Sequence, residues 1–186
     1  MNLHLTETRI PGCYELQARR LTDERGIFVK TYHREGFETL GLRTDWVEQY
    51  YSVSQPGVVR GLHLQLPPHD HAKLVYCIAG QVRDVALDVR RGSPTYGEHL
   101  CIELSAERAN MLYLPSGLAH GFCTFDQPAT LVYNVTSVYH PESDTGIRWD
   151  TANIDWPHKT PQLSDRDQSF PSLPTFQTPF KYQPKT

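Results

Sequence analysis

His63 and Arg60 stand three residues apart in Val59-Arg60-Gly61-Leu62-His63-Leu64-Gln65, and Lys73 follows ten residues after His63. An imidazole titrates near neutrality and can act as a general base. A guanidinium clamps an anion, and an ammonium stabilises an oxyanion. These three types suit a small anionic substrate that gives up a proton. A histidine base is commonly oriented by a carboxylate on its other ring nitrogen. Asp167, in Leu163-Ser164-Asp165-Arg166-Asp167, is a candidate partner, and Tyr133 is a candidate acid. Each has a structural reading as well: a hydrogen-bonded strand histidine, a turn-capping aspartate, a core tyrosine.

His69-x-His71 followed by Gly80, with Pro115-x-Gly117-x-x-His120 further on, has the spacing of a metal-binding cupin. Such sites usually add a glutamate a few residues after the first histidine pair. Here Ala72, Lys73, Leu74, Val75, Tyr76 and Cys77 follow His71, with no carboxylate, and a lysine among the ligands would repel a cation. The residues therefore read against a metal site.

The elements that must position these residues read mainly as strands. Leu62, Leu64 and Leu66 share one face of a strand, while His63 and Gln65 share the other. Val85, Leu87 and Val89 alternate with Asp84, Ala86, Asp88 and Arg90; Leu131, Tyr133 and Val135 alternate with Val132, Asn134 and Thr136. Turn signals fall at Ala79-Gly80, Arg91-Gly92-Ser93-Pro94 and Pro115-Ser116-Gly117. Many short strands with Gly/Pro turns indicate an all-β sandwich or barrel. One short helix is expected near Arg34–Leu40. Five prolines (Pro161, Pro171, Pro174, Pro179, Pro184) keep residues 160–186 out of any central strand, so this tail is expected to wrap the body as an ordered segment.

With 186 residues the chain suits one domain, 1–186, large enough to bury a core. Aromatic residues make up 11% of it, which argues for order, and the net charge of −3 gives no basic footprint for nucleic acid or an anionic membrane. No apolar run approaches the roughly 18–20 residues of a membrane span, and the N-terminus lacks an export signal pattern. Cys13, Cys77, Cys101 and Cys123 form no CxxC pair and read as small core residues of a cytoplasmic protein.

From about Arg19 to Pro174 the chain resembles the dTDP-4-dehydrorhamnose 3,5-epimerase family. The pieces that carry the likeness are Asp23-Glu24-Arg25-Gly26-Ile27-Phe28, the Val59–Gln65 run, Lys73-Leu74-Val75, Gly80 to Arg90, and Gly92-Ser93-Pro94-Thr95-Tyr96-Gly97. They continue with Leu114 to Phe122, Tyr133 with Tyr139, Gly146-Ile147-Arg148-Trp149, Ile154-Asp155-Trp156-Pro157 and Leu163 to Asp167. Each piece alone is weak; their order and spacing together are specific.

The resemblance implies a jelly-roll, cupin-like barrel with short flanking helices, a homodimer, and an isomerase that needs no metal or organic cofactor. The implied substrate is a nucleotide-linked 4-keto-6-deoxyhexose, inverted at carbons beside the ketone in deoxysugar biosynthesis. By position, His63 would abstract the proton, Asp167 would be its dyad partner, Tyr133 would reprotonate from the opposite face, and Lys73 would stabilise the enolate. Arg60, Arg25 and His120 would hold the diphosphate, nucleotide or sugar, with Arg25 reaching across the dimer. Tyr139 falls among the matching positions that line the substrate. Arg166 stands where many members have lysine, and Asp144 where many have glutamate.

Three departures fall at implied substrate contacts. Lys30 replaces a usual glutamate, Glu48-Gln49-Tyr50 replaces Gln-x-Asn, and His71-Ala72-Lys73 replaces Gln-Gly-Lys. Two alternatives stand beside the 3,5-epimerase at this stage. One is a 3- or 5-mono-epimerase on a modified or non-dTDP sugar. The other is a sugar-nucleotide-binding protein without turnover.

Overall fold

A computed structural model describes residues 3–184. Its architecture is all-β, as the alternating runs predict. Six strands form one antiparallel sheet. They are β1 (Leu3–Glu7), β2 (Tyr14–Ala18), β5 (Glu48–Ser54), β7 (Lys73–Ala79), β10 (Asn110–Leu114) and β12 (Ala129–Val135), in the spatial order β1-β2-β10-β7-β12-β5. Five more form the facing sheet. They are β6 (Val59–Gln65), β8 (Gln81–Asp88), β9 (His99–Ser105), β11 (Leu118–Thr124) and β13 (Asp144–Gly146), in the order β13-β6-β11-β8-β9. A separate hairpin joins β3 (Arg20–Asp23) to β4 (Gly26–Val29). This is the jelly-roll layout, with two facing sheets and the chain crossing repeatedly between them.

Three apolar clusters follow from the strand alternation. Between the sheets, Val75, Leu112 and Leu131 from one side meet Ala86, Leu104 and Phe122 from the other. The outer face of the five-stranded sheet presents Leu62, Leu64, Val85, Leu87 and Val89, which the C-terminal segment covers with Ile147, Trp156 and Phe180. Within that segment Thr178 donates its hydroxyl to the Val89 carbonyl, and Lys181 bridges Arg91, so the proline-rich chain is tied down without entering the sheet. The outer face of the six-stranded sheet, with Leu16, Leu74 and Met111, is covered by α1 (Arg34–Thr39), whose Phe37 is fully buried. That one ring contributes about 1.5–3 kcal/mol of burial. His33 caps the helix by accepting the Gly36 N–H on Nδ1.

Two local features bear on the site. β6 and β11 pair with a bulge: His63 lies opposite His120, but Arg60 lies opposite Phe122, so three steps on β6 match two on β11. Strict alternation would send Arg60 and His63 to opposite faces, and the bulge returns both to the inner one. It needs glycine on both strands, because a Cβ on Gly121 would sit 2.7 Å from the Arg60 carbonyl oxygen and one on Gly61 would sit 2.5 Å from Gly121 Cα. The second feature corrects an expectation. Cys101 is exposed, not core, while Cys13, Cys77 and Cys123 are buried, and all four are free thiols. β9 is an edge strand whose Leu100, Ile102 and Leu104 face the core, which turns Cys101 outward.

Candidate active site

The mouth between the two sheets opens into a cavity of about 440 Å³. His63, Arg60, Lys73, His120, Tyr133, Glu48, Tyr50, Tyr139, Asp144 and Arg166 all line it. Asp167 stands directly behind His63. Arg25 and Lys30 are not brought there. Arg25 sits at the exposed turn of the β3–β4 hairpin, paired with Asp23, and Lys30 is exposed just after β4.

His63 projects from β6, and its Nε2 lies 2.9 Å from Asp167 Oδ1. Asp167 belongs to α2 (Asp165–Ser169), whose N-cap Ser164 accepts the Asp167 N–H on its hydroxyl at 3.1 Å. The other carboxylate oxygen accepts the Gly61 N–H at 3.0 Å. Burial pushes the Asp167 carboxyl up, but His63, Gly61 and Ser164 together outweigh it and hold it below the usual carboxylate range. The imidazole is pushed below its ordinary value, chiefly by burial; Asp167 opposes this, and Lys73 and Arg166 reinforce it. The ring is thus neutral at neutral pH. With its proton on the nitrogen facing Asp167, Nδ1 keeps the lone pair a base needs.

Lys73 opens β7 and crosses toward the facing sheet, where Nζ donates to the His63 carbonyl at 3.1 Å. Burial lowers its pKa to about 8, with Asp144 and Asp84 partly opposing, so it remains a cation at neutral pH. Tyr133 on β12 is 7% exposed, and its hydroxyl lies 3.1 Å from Ser52 Oγ. Burial drives its phenol well above the ordinary value, so it keeps its proton until a partner takes it. Tyr50, directly opposite on β5, stacks on it at 4.8 Å and 18°. His63 and Tyr133 therefore stand on different sheets facing one cavity.

A second histidine–carboxylate pair was not singled out by sequence. His120 on β11 lies 2.9 and 3.0 Å from the two oxygens of Asp84, which is fully buried on β8. The signal was Asp84 sharing a strand face with Val82 and Ala86, since a buried carboxylate requires a partner.

The rim carries the remaining groups. Arg60 donates through Nε to Ser54 Oγ at 2.9 Å, which leaves its outer edge toward the cavity. Arg166 lies 3.3 Å from His63 Nε2, pairs with Asp144 at 2.5 Å, and packs over the Phe170 ring. Glu48 accepts the Tyr139 N–H at 2.8 Å, and the Tyr139 hydroxyl reaches Asp144 at 3.5 Å. Of the two histidines with cupin spacing, His69 bonds to Ser143 and stacks on His140, while His71 turns toward Gln65 at the cavity wall. No group of three or more His, Cys, Asp or Glu among the described residues is placed to hold a metal ion.

A neutral base, a buried cation and a protonated phenol around one cavity suit proton removal beside a carbonyl, followed by reprotonation. Known proteins point the same way. The model of the family described as dTDP-4-dehydrorhamnose 3,5-epimerase matches residues 7–175. A dTDP-4-dehydrorhamnose 3,5-epimerase from Shigella flexneri is 39% identical over 168 residues, 89% of this chain and 93% of the relative. A dTDP-4-dehydrorhamnose 3-epimerase from Streptomyces niveus is 38% identical over 169 residues, 89% of this chain and 82% of that protein. Among solved structures, a dTDP-6-deoxy-D-glucose-3,5-epimerase from Legionella pneumophila, in complex with dTDP-4-keto-L-rhamnose, superposes with a TM-score of 0.93 at 35% identity. It covers 98% of this chain and all of its own. With a family model over most of its length and relatives of this identity over nine-tenths of it, the chain belongs to the dTDP-4-dehydrorhamnose 3,5-epimerase family.

Proposed function

We propose that this protein inverts C3 and C5 of a dTDP-linked 4-keto-6-deoxyhexose. The observation that carries the reading is His63 on one sheet, backed by Asp167 of α2, facing the buried, protonated Tyr133 on the other sheet, with Lys73 in the same cavity. A ketone at C4 acidifies the hydrogens on both neighbouring carbons once the developing oxyanion is stabilised. His63 Nδ1 takes the proton, and the C–H electron pair moves into the C3–C4 or C4–C5 bond as the carbonyl becomes an enolate beside Lys73. Tyr133 then delivers its proton to the same carbon from the other face, and the ketone reforms. His63 sheds its proton to solvent and the phenolate regains one, so the product is an isomer. Arg60, His120 and Arg166 supply positive or donating groups for the diphosphate and sugar. Tyr139 offers an exposed ring, and Glu48, Tyr50 and Asp144, which line the cavity, bear on which base and sugar are accepted.

We also assign a homodimer. Leu21, Ile27 and Phe28 leave apolar surface on the β3–β4 hairpin, and Tyr51 and Val53 do so on edge strand β5. Arg25, exposed outside its own chain's cavity, is the residue we assign to a partner's. No helix among the described residues is long and apolar enough to cross a membrane.

The test is solvent-deuterium incorporation followed by NMR, with dTDP-, CDP-, UDP- and GDP-linked 4-keto-6-deoxyhexoses. Washout at both carbons with the dTDP sugar supports the assignment. Washout at one carbon makes the protein a mono-epimerase, and none with any sugar makes it a binder. Light scattering after size exclusion at twice the chain mass supports the dimer; a monomer in the active sample removes it.

A further inference from the structure

The Tyr133 hydroxyl has one hydrogen-bond partner among the described residues, the Oγ of Ser52 at 3.1 Å. Strand register explains the contact. Tyr133 on β12 lies opposite Tyr50 on β5, and Leu131 lies opposite Ser52, so the serine is the diagonal neighbour of the phenol. Diagonal pairs stand roughly 7–8 Å apart, within reach of an aromatic side chain. The Tyr50 ring stacks on the Tyr133 ring at 4.8 Å, and the His120 ring meets it in a T at 6.1 Å, so the phenol is flanked on two sides. On β5, Tyr51 and Val53 are exposed, whereas Ser52 between them lines the cavity.

Serine and tyrosine hydroxyls each donate and accept, so at rest the contact runs in either direction. During the reaction it has one direction. Once Tyr133 turns its O–H to a substrate carbon, the Ser52 O–H is the donor and the Tyr133 oxygen the acceptor. The phenol needs that donor. Burial drives its pKa well above the ordinary value; Ser52 is the group that most opposes this, Asp84 and Tyr50 reinforce it, and Arg60 opposes it least. A hydrogen bond to an ionised oxygen is stronger than one to a neutral oxygen, so a serine donor favours the phenolate over the phenol.

We propose that Ser52 is a positioning residue for the acid: its O–H holds the Tyr133 oxygen while the phenol gives its proton to the substrate carbon and becomes a phenolate. No proton leaves Ser52 in this step, and the phenolate regains its own from solvent. The proposal rests on the epimerase reading above. It confines Ser52 to reprotonation, because His63, Asp167 and Lys73, which serve proton removal, stand on other elements. The bond strengthens as charge builds on the phenol oxygen, so it acts on kcat more than on KM.

The experiment compares wild type, Ser52→Ala and Ser52→Thr with dTDP-4-keto-6-deoxyglucose in D₂O, following exchange and inversion separately by NMR. Alanine removes the donor and threonine keeps it. The expected result for Ser52→Ala is a kcat for inversion about 10- to 10²-fold lower, with KM and exchange within about threefold, and most of the loss recovered in Ser52→Thr. A second arm places fluorotyrosine, a more acidic phenol of nearly the same size, at position 133 of wild type and of Ser52→Ala. It should speed inversion more in Ser52→Ala than in wild type, because a readily ionised phenol needs its donor less. A purely structural loss would not respond to phenol acidity. Unchanged inversion in Ser52→Ala, equal loss of exchange and inversion, or the same fluorotyrosine effect in both backgrounds overturns the proposal. If Ser52→Ala does not fold, Ser52→Cys, a weak donor of similar size, takes its place with the same outcomes. A wild type that neither exchanges nor inverts fails the epimerase reading, and the proposal with it. A wild type active in both, beside an unaffected Ser52→Ala, fails the proposal alone.

Discussion

Asp167 reaches His63 from a helix 104 residues further along the chain, and its two oxygens have different partners: Oδ1 faces His63 Nε2 and Oδ2 accepts the Gly61 N–H. The carboxylate thereby ties the base to the backbone of the base's own strand. It also sets the tautomer, because a full acceptor at Oδ1 calls for a proton on Nε2.

Asp167→Asn tests this. The amide keeps the size but cannot accept at both ends. With its oxygen on Gly61, its NH₂ faces Nε2 and drives the proton to Nδ1, the nitrogen that must be bare. The expected outcome is a kcat about 10²–10⁴-fold lower with dTDP affinity little changed, read by deuterium exchange and by calorimetric titration with dTDP. An unchanged exchange rate would remove Asp167 from the dyad.

Tyr133→Phe separates the acid from the base. His63, Asp167 and Lys73 are on other elements, so proton removal should continue. The expected result is exchange at C3 or C5 retained within about tenfold, while inverted product falls by about 10²–10⁴-fold, both followed by NMR in D₂O. Equal loss of both would give Tyr133 a part in enolate formation as well.

The site's strands were legible because period-two alternation carries through β6, β8 and β12. The placement of Arg60 beside His63 was not, since it depends on a bulge made by glycines 60 residues apart, and alternation alone puts the two on opposite faces. Asp84 appeared only as one of several polar positions in its strand; its partnership with His120 is a property of neighbouring strands. His71 was read for metal ligation by spacing, whereas its hydrogen bonding to Gln65 is set by a loop that no local pattern encodes. Cys101 was misplaced because an apolar run does not reveal which strand lies at a sheet edge. Likeness to a family marks Arg25 and Lys30 as positions, but not that both stand outside this chain's own cavity.

The two limbs of the pH profile have assigned owners. His63 must be neutral to accept a proton, and its pKa is lowered, so activity falls with acid only below the ordinary histidine value of about 6.5. Lys73 must be charged and titrates at about 8, so activity falls as pH rises through that value. Tyr133 titrates far higher and adds no limb in this range. The plot of kcat/KM against pH should be a bell with its basic side near 8. In Lys73→Arg, whose cation persists above pH 12, the rate should drop but the basic limb should disappear. A basic limb that persists near 8 in that variant would assign it to another group.

Gly121→Ala tests whether the bulge between β6 and β11 is what brings Arg60 and His63 together. The added methyl meets the Arg60 carbonyl oxygen and Leu62 Cδ2, each at 2.7 Å, and neither strand can yield without shifting β6. Overpacking of this kind costs about 1–3 kcal/mol. For a chain of this size that lowers Tm by about 2–4 °C per kcal/mol. Because the strand that moves carries the base, kcat should fall at temperatures where the variant is fully folded. Gly92→Ala is the control. Its φ of +82° strains any side chain, but nothing lies within 4 Å of the new methyl, so it should lower Tm by a comparable step and leave kcat unchanged. If Gly121→Ala loses stability and keeps full kcat, the bulge is a packing device and the catalytic geometry does not depend on it.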